Sequence, residues 1–388
     1  MSNVLSASSG SASSRSRYAD FSRTGSGTLA GRYLRMFWQP VFVSDELPRG
    51  RARLITLMGE EFTLFRGEGG RAQVLGPRCP HRSTALSVGR VEGDSVRCFY
   101  HGWRFDASGQ CVEQPAEIAG LEHEVKVRSY PTREYLGLVF AFLGEGEPPA
   151  FPHLSVFDSG GFVVAGRIDR GCNYFSQLEN SVDEIHFNFV HRTSGFNDAG
   201  LNSKMPDLSG EETDYGIARY GRRGALVRRS HILMPNLMFS MAYDHSSGWT
   251  EHLGWRVPLD DYRHVSFMVD LVHLEGAAKE KYFADRAAAE AKLRGLPSVE
   301  EVVKKILSGE LHITDVEDRP DLLNVQDMVA LMGQGPIPER ETNHLGRTDQ
   351  QVVLLRKIFT RELRALEEGR PLKTWTWPSD LTVSSGVA

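Results

Sequence analysis

CPHRSTALSVGRVEGDSVRCFYHGWRFD, residues 79–106, decides how the first third of the chain is read. It opens with Cys79-Pro80-His81, a C-x-H step, and 16 residues later it continues with Cys98-Phe99-Tyr100-His101, a C-x2-H step. Each half offers one thiolate and one imidazole from a tight turn. A [2Fe–2S] pair can use such halves directly: the two cysteines take one iron and the two histidines take the other, so each turn bridges both metals. Exchanging two anionic thiolates for two neutral imidazoles raises the reduction potential, which suits a centre that accepts electrons readily and passes them on. A structural Cys2His2 zinc site fits less well. Zinc ribbons space their ligands C-x2–4-C, and a C-x-H step converges awkwardly on a single ion.

The flanking sequence supplies a scaffold for such turns. From Phe37 to Phe142 short apolar runs (52–57, 62–65, 73–75, 95–98 and 137–142) alternate with Gly, Pro and Asp punctuation, the pattern of a small antiparallel β domain. Gly144–Pro152, GEGEPPAFP, reads as a connector. Beyond it come a strand at 162–168, a helix at 173–190 and a run of strands at 215–241, 249–258 and 264–273. Helical composition follows at 277–307, and a helix at 352–367 closes the chain. No internal repeat is visible.

The helical stretch QLENSVDEIHFNFVH, residues 177–191, contains D-x2-H-x4-H. At about 100° per residue Asn180, Asp183 and His186 share one stripe, whereas His186 and His191 would splay by about 140° on a regular helix. The two histidines therefore share a metal only if the helix is distorted or ends between them. Two imidazoles and one carboxylate on one face of a metal leave open positions for O2. Alone this is a weak signal. The redox pair upstream strengthens it, because an electron relay needs a destination.

These motifs, with NVQDMVALMGQGPIPERETNHLGRTDQQVVLLRK at 324–357, resemble the Rieske non-haem iron ring-hydroxylating oxygenases, in their phthalate-type α-subunit branch, from about Leu34 to Leu366. The resemblance implies an α+β chain. Its parts are a disordered Ser/Gly-rich tail over 1–30, a small antiparallel β Rieske [2Fe–2S] domain over 31–150, and a larger catalytic domain over 151–388 with an antiparallel sheet flanked by helices. It implies Cys79, His81, Cys98 and His101 as cluster ligands, and His186 and His191 as ligands of one mononuclear Fe(II). Asp183 becomes a bridging acid between an iron-ligand histidine and a cluster histidine, and Asn180 a polar group near the iron. Asp315, Glu317, Asp318, Asp321 and Asp327 are all available as the third ligand, and the match of Val325-Gln326-Asp327 picks Asp327. Glu184 stands where relatives commonly carry proline.

The implied activity is that of a terminal oxygenase component. Oxygen from O2 enters an aromatic or other apolar organic substrate, by hydroxylation or oxidative O- or N-demethylation, with cis-dihydroxylation of phthalate-like acids as an alternative. Electrons come from NAD(P)H through a flavin/iron–sulfur reductase, directly or by way of a ferredoxin. The chain has no G-x-G-x-x-G after a strand, in keeping with an external electron supply. The resemblance also implies a head-to-tail homotrimer in which one subunit's cluster serves its neighbour's iron. A Rieske electron carrier without oxygenase activity is the reading from another class, and the 2-His-1-carboxylate set argues against it.

Much of the substrate pocket wall is expected from 226–271, where Leu233, Met234, Leu237, Met238, Phe239, Met241, Phe267 and Met268 suit an apolar compound, although most of them read as ordinary core. Arg228 and Arg229 are adjacent, so on a strand one points inward. An inward arginine would suit a substrate carboxylate, and a solvated or salt-bridged one is the expectation here. Lys+Arg 45 against Asp+Glu 50 leaves a net charge of −5 and no support for a nucleic-acid or anionic-membrane partner. Four cysteines do not make a disulfide scaffold, and Cys111 and Cys172 read as plain buried thiols. Residues 1–27 lack an apolar run, and stretches such as 136–143 are far too short to span a bilayer, so the expected location is cytoplasmic.

Overall fold

A computed structural model describes residues 16–118, 120–194, 200–202 and 204–387. Helix α1 (Leu29–Arg35) starts at Thr28, whose hydroxyl accepts from Gly31 N. Three small antiparallel sheets follow. Strands β1 (Trp38–Val43), β10 (Thr132–Tyr135) and β11 (Leu138–Phe142) form the first, with β11 in the middle. β2 (Arg51–Leu57), β3 (Glu60–Arg66), β4 (Ala72–Leu75) and β9 (Ser129–Tyr130) form the second. β5 (Arg90–Glu92), β6 (Ser95–Arg97), β7 (Arg104–Phe105) and β8 (Cys111–Glu113) form the third. A local core of Phe65, Leu75, Leu86, Val96, Phe105 and Val127 lies behind the two Cys/His turns, with Cys79, Cys98 and Cys111 buried in it.

The larger half is one antiparallel sheet. Strands β13 (Asp207–Glu212), β14 (Gly216–Arg223), β15 (Leu226–Leu233), β16 (Leu237–Asp244), β17 (Gly248–Pro258) and β18 (His264–Val272) run as a meander. β12 (Phe162–Arg170) closes on β18, and β19 (Ser384–Val387) pairs with β15. Around it lie α2 (Tyr174–Val182), α3 (His186–Phe189), α4 (Gly276–Leu293), α5 (Val299–Ser308), α6 (Leu322–Met332) and α7 (Gln350–Glu367). The main core runs through both halves; Phe140 of β11 meets Trp255 of β17 edge-on at 5.4 Å. A separate core of Val302, Val303, Val325, Met328 and Leu331 fastens α6 to α5.

Three expectations need correction. Residues 1–15 of the expected tail lie outside the described residues, and residues 16–30 are packed rather than disordered: Phe21 is buried and stacks on Phe175 at 3.9 Å. Two aromatics, Tyr18 and Phe21, in a Ser/Gly-rich stretch gave no periodic signal. The helix expected over 173–190 breaks in two, because Asp183 is extended (φ −85, ψ 119) between α2 and α3. The helical composition at 277–307 also divides, at Gly295-Leu296-Pro297, where Gly295 takes a positive φ of 88°.

Candidate metal centres

The two Cys/His turns have the same backbone. Cys79 N donates to Thr84 O, and Ser83 N donates back to Cys79 O; Cys98 N donates to Trp103 O, and Gly102 N back to Cys98 O. The fifth residue of each turn is left-handed, Ser83 at φ 58° and Gly102 at φ 76°. This repetition brings like groups together. The imidazoles of His81 and His101 lie 4.4 Å apart, and His81 stacks on Trp103 at 4.6 Å. Cys79 and Cys98 are buried free thiols; burial pushes the Cys79 thiol up to about 12. His81 Nδ1 is buried without a hydrogen-bond partner among the described residues. Two buried thiols and an orphaned imidazole nitrogen are the chemistry that a cluster with two thiolate and two imidazole ligands satisfies. Phe99 and Tyr100 stand exposed at the tip, with the Arg82 guanidinium 5.2 Å from the Tyr100 ring.

The second centre is built on the break between α2 and α3. Unwinding at Asp183 re-aims the chain so that His186 and His191 turn toward α6, which carries Asp327. Among the described residues, His186, His191 and Asp327 form the one group of metal-ligand type whose atoms lie within 4.8 Å of one another. His191 Nε2 is 3.1 Å from Asp327 Oδ1 and His186 Nε2 is 4.0 Å from it. The other ring nitrogens are engaged: His186 Nδ1 is 2.7 Å from Asp183 O, and His191 Nδ1 is 3.0 Å from Gln326 Oε1. Both acceptors are carbonyl oxygens, so both imidazoles donate from Nδ1 and keep Nε2 free for a metal. Burial alone would raise the Asp327 carboxyl, but the close approach of His191 and His186 and the Arg170 charge bring it down to about 2. Burial lowers His186, favouring the neutral ring that a metal binds.

Asn180 lies on α2, and Asp183 lies in the break that follows it, off the helical stripe. Asn180 Nδ2 donates to Asp327 Oδ1 at 3.2 Å. The Asp183 carboxylate accepts from Ile185 N at 2.8 Å. Both residues, with His186, line a cavity of about 780 Å³ that also takes in Glu179, Glu339 and Asp349. None of the eight apolar residues expected to wall a pocket along 226–271 lines this cavity. Leu233, Met234, Leu237, Phe239 and Phe267 are fully buried core, as expected of most of the eight.

Arg228 does point inward, as the strand alternation allows, and it is salt-bridged. Its partner is Glu184, bound at 2.8 Å, with Arg223 at 3.0 Å and Arg219 at 3.7 Å from the same carboxylate. Burial would raise Glu184, but the charges of Arg228, Arg219 and Arg223 hold it at about 2. Gly221 makes this possible, since a Cβ there would stand 3.1 Å from Glu184 Oε2. Arg219, Arg223 and the Gln326 acceptor of His191 were not anticipated. Inward alternation of arginines along 219–228 and the residue preceding Asp327 were the signals available.

Residues 37–131 match the family model of the Rieske [2Fe–2S] domain. The chain is 30% identical over 371 residues to phenoxybenzoate dioxygenase subunit alpha of Ectopseudomonas oleovorans, covering 88% of this chain and 84% of that one. It is also 30% identical over 369 residues to the tert-butanol monooxygenase / tert-amyl alcohol desaturase oxygenase subunit of Aquincola tertiaricarbonis, at 87% and 74% coverage. Among solved structures, the Pseudomonas putida CBB5 NdmA QL mutant with caffeine shares the fold, with a TM-score of 0.65 at 20% identity, covering 87% of this chain and 92% of that one.

Proposed function

This chain belongs to the Rieske non-haem iron oxygenases as a terminal oxygenase component, and we propose that Cys79, His81, Cys98 and His101 hold its cluster while His186, His191 and Asp327 hold a mononuclear Fe(II). The observation that carries the second assignment is the convergence of two imidazole Nε2 atoms and one carboxylate within 4.8 Å, on a chain that also has a Rieske domain. When bound, the cluster supplies single electrons and the iron supplies the position at which O2 is activated, with NAD(P)H equivalents arriving through a separate reductase or ferredoxin. The residues do the rest. Asp183 O and Gln326 Oε1 fix the tautomers of the two imidazoles. Asn180 holds Oδ1 of Asp327 in place. The substrate class is an aromatic or other apolar organic compound, and the outcome is hydroxylation or demethylation.

Charge complementarity supports a head-to-tail homotrimer. The cavity beside Asp183 is also lined by Glu339 and Asp349, and the exposed cluster tip presents Arg82 beside His81 and His101. A neighbour's tip seated there would place its cluster histidines against Asp183, the bridging role. No helix among the described residues is long and apolar enough to cross a membrane, and a cytoplasmic location fits an NAD(P)H-fed system. The test is purification under anaerobic iron–sulfur reconstitution, metal analysis, and turnover with a generic reductase and NADH. Red-brown protein with about three iron atoms per chain and O2-dependent product supports the proposal. Colourless zinc protein, or about two iron atoms and no turnover, contradicts it.

A further inference from the structure

We propose that Arg340 is a positioning residue for electron delivery: through Glu179 it holds the connection between α6 and α7 against α2, and so sets the shape of the cavity that Asp183 lines. This deepens the oxygenase reading and rests on its bridging step, in which a neighbour's cluster tip seats in that cavity. Arg340 and Arg356 belong to the same late stretch, 324–357, that supplies Asp327. Residues 333–349 join α6 to α7 with no helix or strand beyond two short 3-10 turns, Arg340–Thr342 and Arg347–Asp349. No backbone ladder fixes such a segment, so its side-chain anchors decide where it lies. Glu339, Thr342 and Asn343 line the cavity from this connection, and Glu179, Asn180 and Asp183 line it from α2 and the break after it.

Arg340 ties these two sets of residues together. Its Nε donates to Glu179 Oε2 at 2.9 Å, its Nη2 to Ser176 Oγ at 3.2 Å and its Nη1 to Ser22 Oγ at 2.9 Å. Ser176 and Glu179 are three apart on α2, so one planar fork grips one helix face. The guanidinium lies 5.1 Å from the Phe175 ring and 5.3 Å from Phe21, two rings that stack on each other. The side chain is buried, and all three of its nitrogens are engaged. The other oxygen of Glu179 is taken from α7: Arg356 Nε donates to Oε1 at 2.5 Å, and Arg356 Nη2 donates to Asn343 Oδ1 at 2.9 Å. The turn Arg340–Thr342 is thus pinned at its first residue and just past its last, both times by way of Glu179.

The clamp closes next to the metal centre. Glu179 directly precedes Asn180, whose Nδ2 donates to Asp327 Oδ1, and it stands one helical turn before Asp183. It therefore fixes α2 just where the bridging carboxylate leaves the helix, and Arg340 fixes the connection to that same residue. Arg340 does not itself line the cavity. It acts through Glu179, and its loss would shift the connection relative to Asp183 while His186, His191 and Asp327 keep their places on other segments.

The test uses iron-replete holoenzyme and three readouts: iron and cluster content, backbone hydrogen exchange over 333–343, and stopped-flow oxidation of the reduced cluster. The last is run with O2 and 3-phenoxybenzoate, or with O2 alone if that acid does not speed the wild type. Arg340→Gln should keep wild-type iron and cluster content, exchange at least tenfold faster over 333–343, and oxidise its cluster at least tenfold more slowly per loaded chain. Arg340→Lys keeps the charge but not the three-armed fork, and should fall between the two. If Arg340→Gln fails to fold, Arg340→Lys and Ser22→Ala decide: slowed oxidation at full iron content supports the proposal, and wild-type rates overturn it. Iron, cluster and rate lost in one proportion would mark a merely structural residue and overturn it too. Wild-type oxidation in Arg340→Gln beside slow oxidation in Asp183→Asn would overturn the positioning role and leave the bridging reading standing; wild-type oxidation in both would sink the bridging reading itself.

Discussion

His186 Nδ1 is held at 2.7 Å by the backbone carbonyl oxygen of Asp183, not by its carboxylate. The break after α2 frees that carbonyl from helical hydrogen bonding and turns it onto the imidazole. The Asp183 side chain is left to line the cavity at the metal centre. One residue thus serves the centre twice, through two different groups.

Asp183→Asn separates the two. The backbone bond to His186 persists, so iron content and the cluster spectrum should match wild type. Asparagine preserves size but lacks the charge and presents a donor where an acceptor is needed. Product formation should fall by at least tenfold. Stopped-flow mixing of reduced variant with O2 and substrate checks this: slowed cluster oxidation is expected, and wild-type rates would withdraw the bridging role.

Gln326→Leu removes the acceptor that fixes His191 Nδ1. Loss of such an outer partner typically costs about 10–100-fold in metal affinity. The variant should lose mononuclear iron to a chelator about that much more readily, while the cluster's visible absorption stays constant. Thr193 Oγ1, which accepts from Gln326 Nε2 at 3.0 Å, should matter less.

Glu184→Gln leaves three buried guanidinium groups without their shared carboxylate. Removing one partner of a buried charge cluster costs about 3–5 kcal/mol, to be read from urea or guanidinium unfolding. The sign with pH follows from the depressed carboxyl. Glu184 titrates at about 2 in the folded chain against an ordinary 4.5, so its contribution is complete above 4.5 and is lost as pH falls from there toward 2. The stability of Glu184→Gln should vary less than wild type across that window.

The parts legible in the sequence are those in which local spacing sets the geometry. C-x-H and C-x2-H specify two turns, and the structure repeats one backbone at both. The 140° splay of His186 and His191 required a helix that is distorted or ends between them, and α3 does end between them, at Phe189. Long-range relations were harder. Asp327 rested on resemblance, because five acids crowd 315–327 and the helix that singles one out, α6, has no strong amphipathic pattern. Its apolar face meets α5 and Cys172 in a separate core, which no local signal reveals. Glu184 looked incidental because its partners lie 35 to 44 residues away on two strands and meet it only after the sheet has formed. The apolar residues of 226–271 resembled a pocket wall because core and pocket share one composition.

Iron analysis of Asp327→Ala tests the central claim most directly, since Asp327 Oδ1 is the atom on which both histidines and Asn180 converge. The account predicts a fall from about three to about two iron atoms per chain, an unchanged reduced-cluster EPR signal, and no product. Full iron with retained turnover would contradict it and hand the third ligand to another acid among residues 315–321.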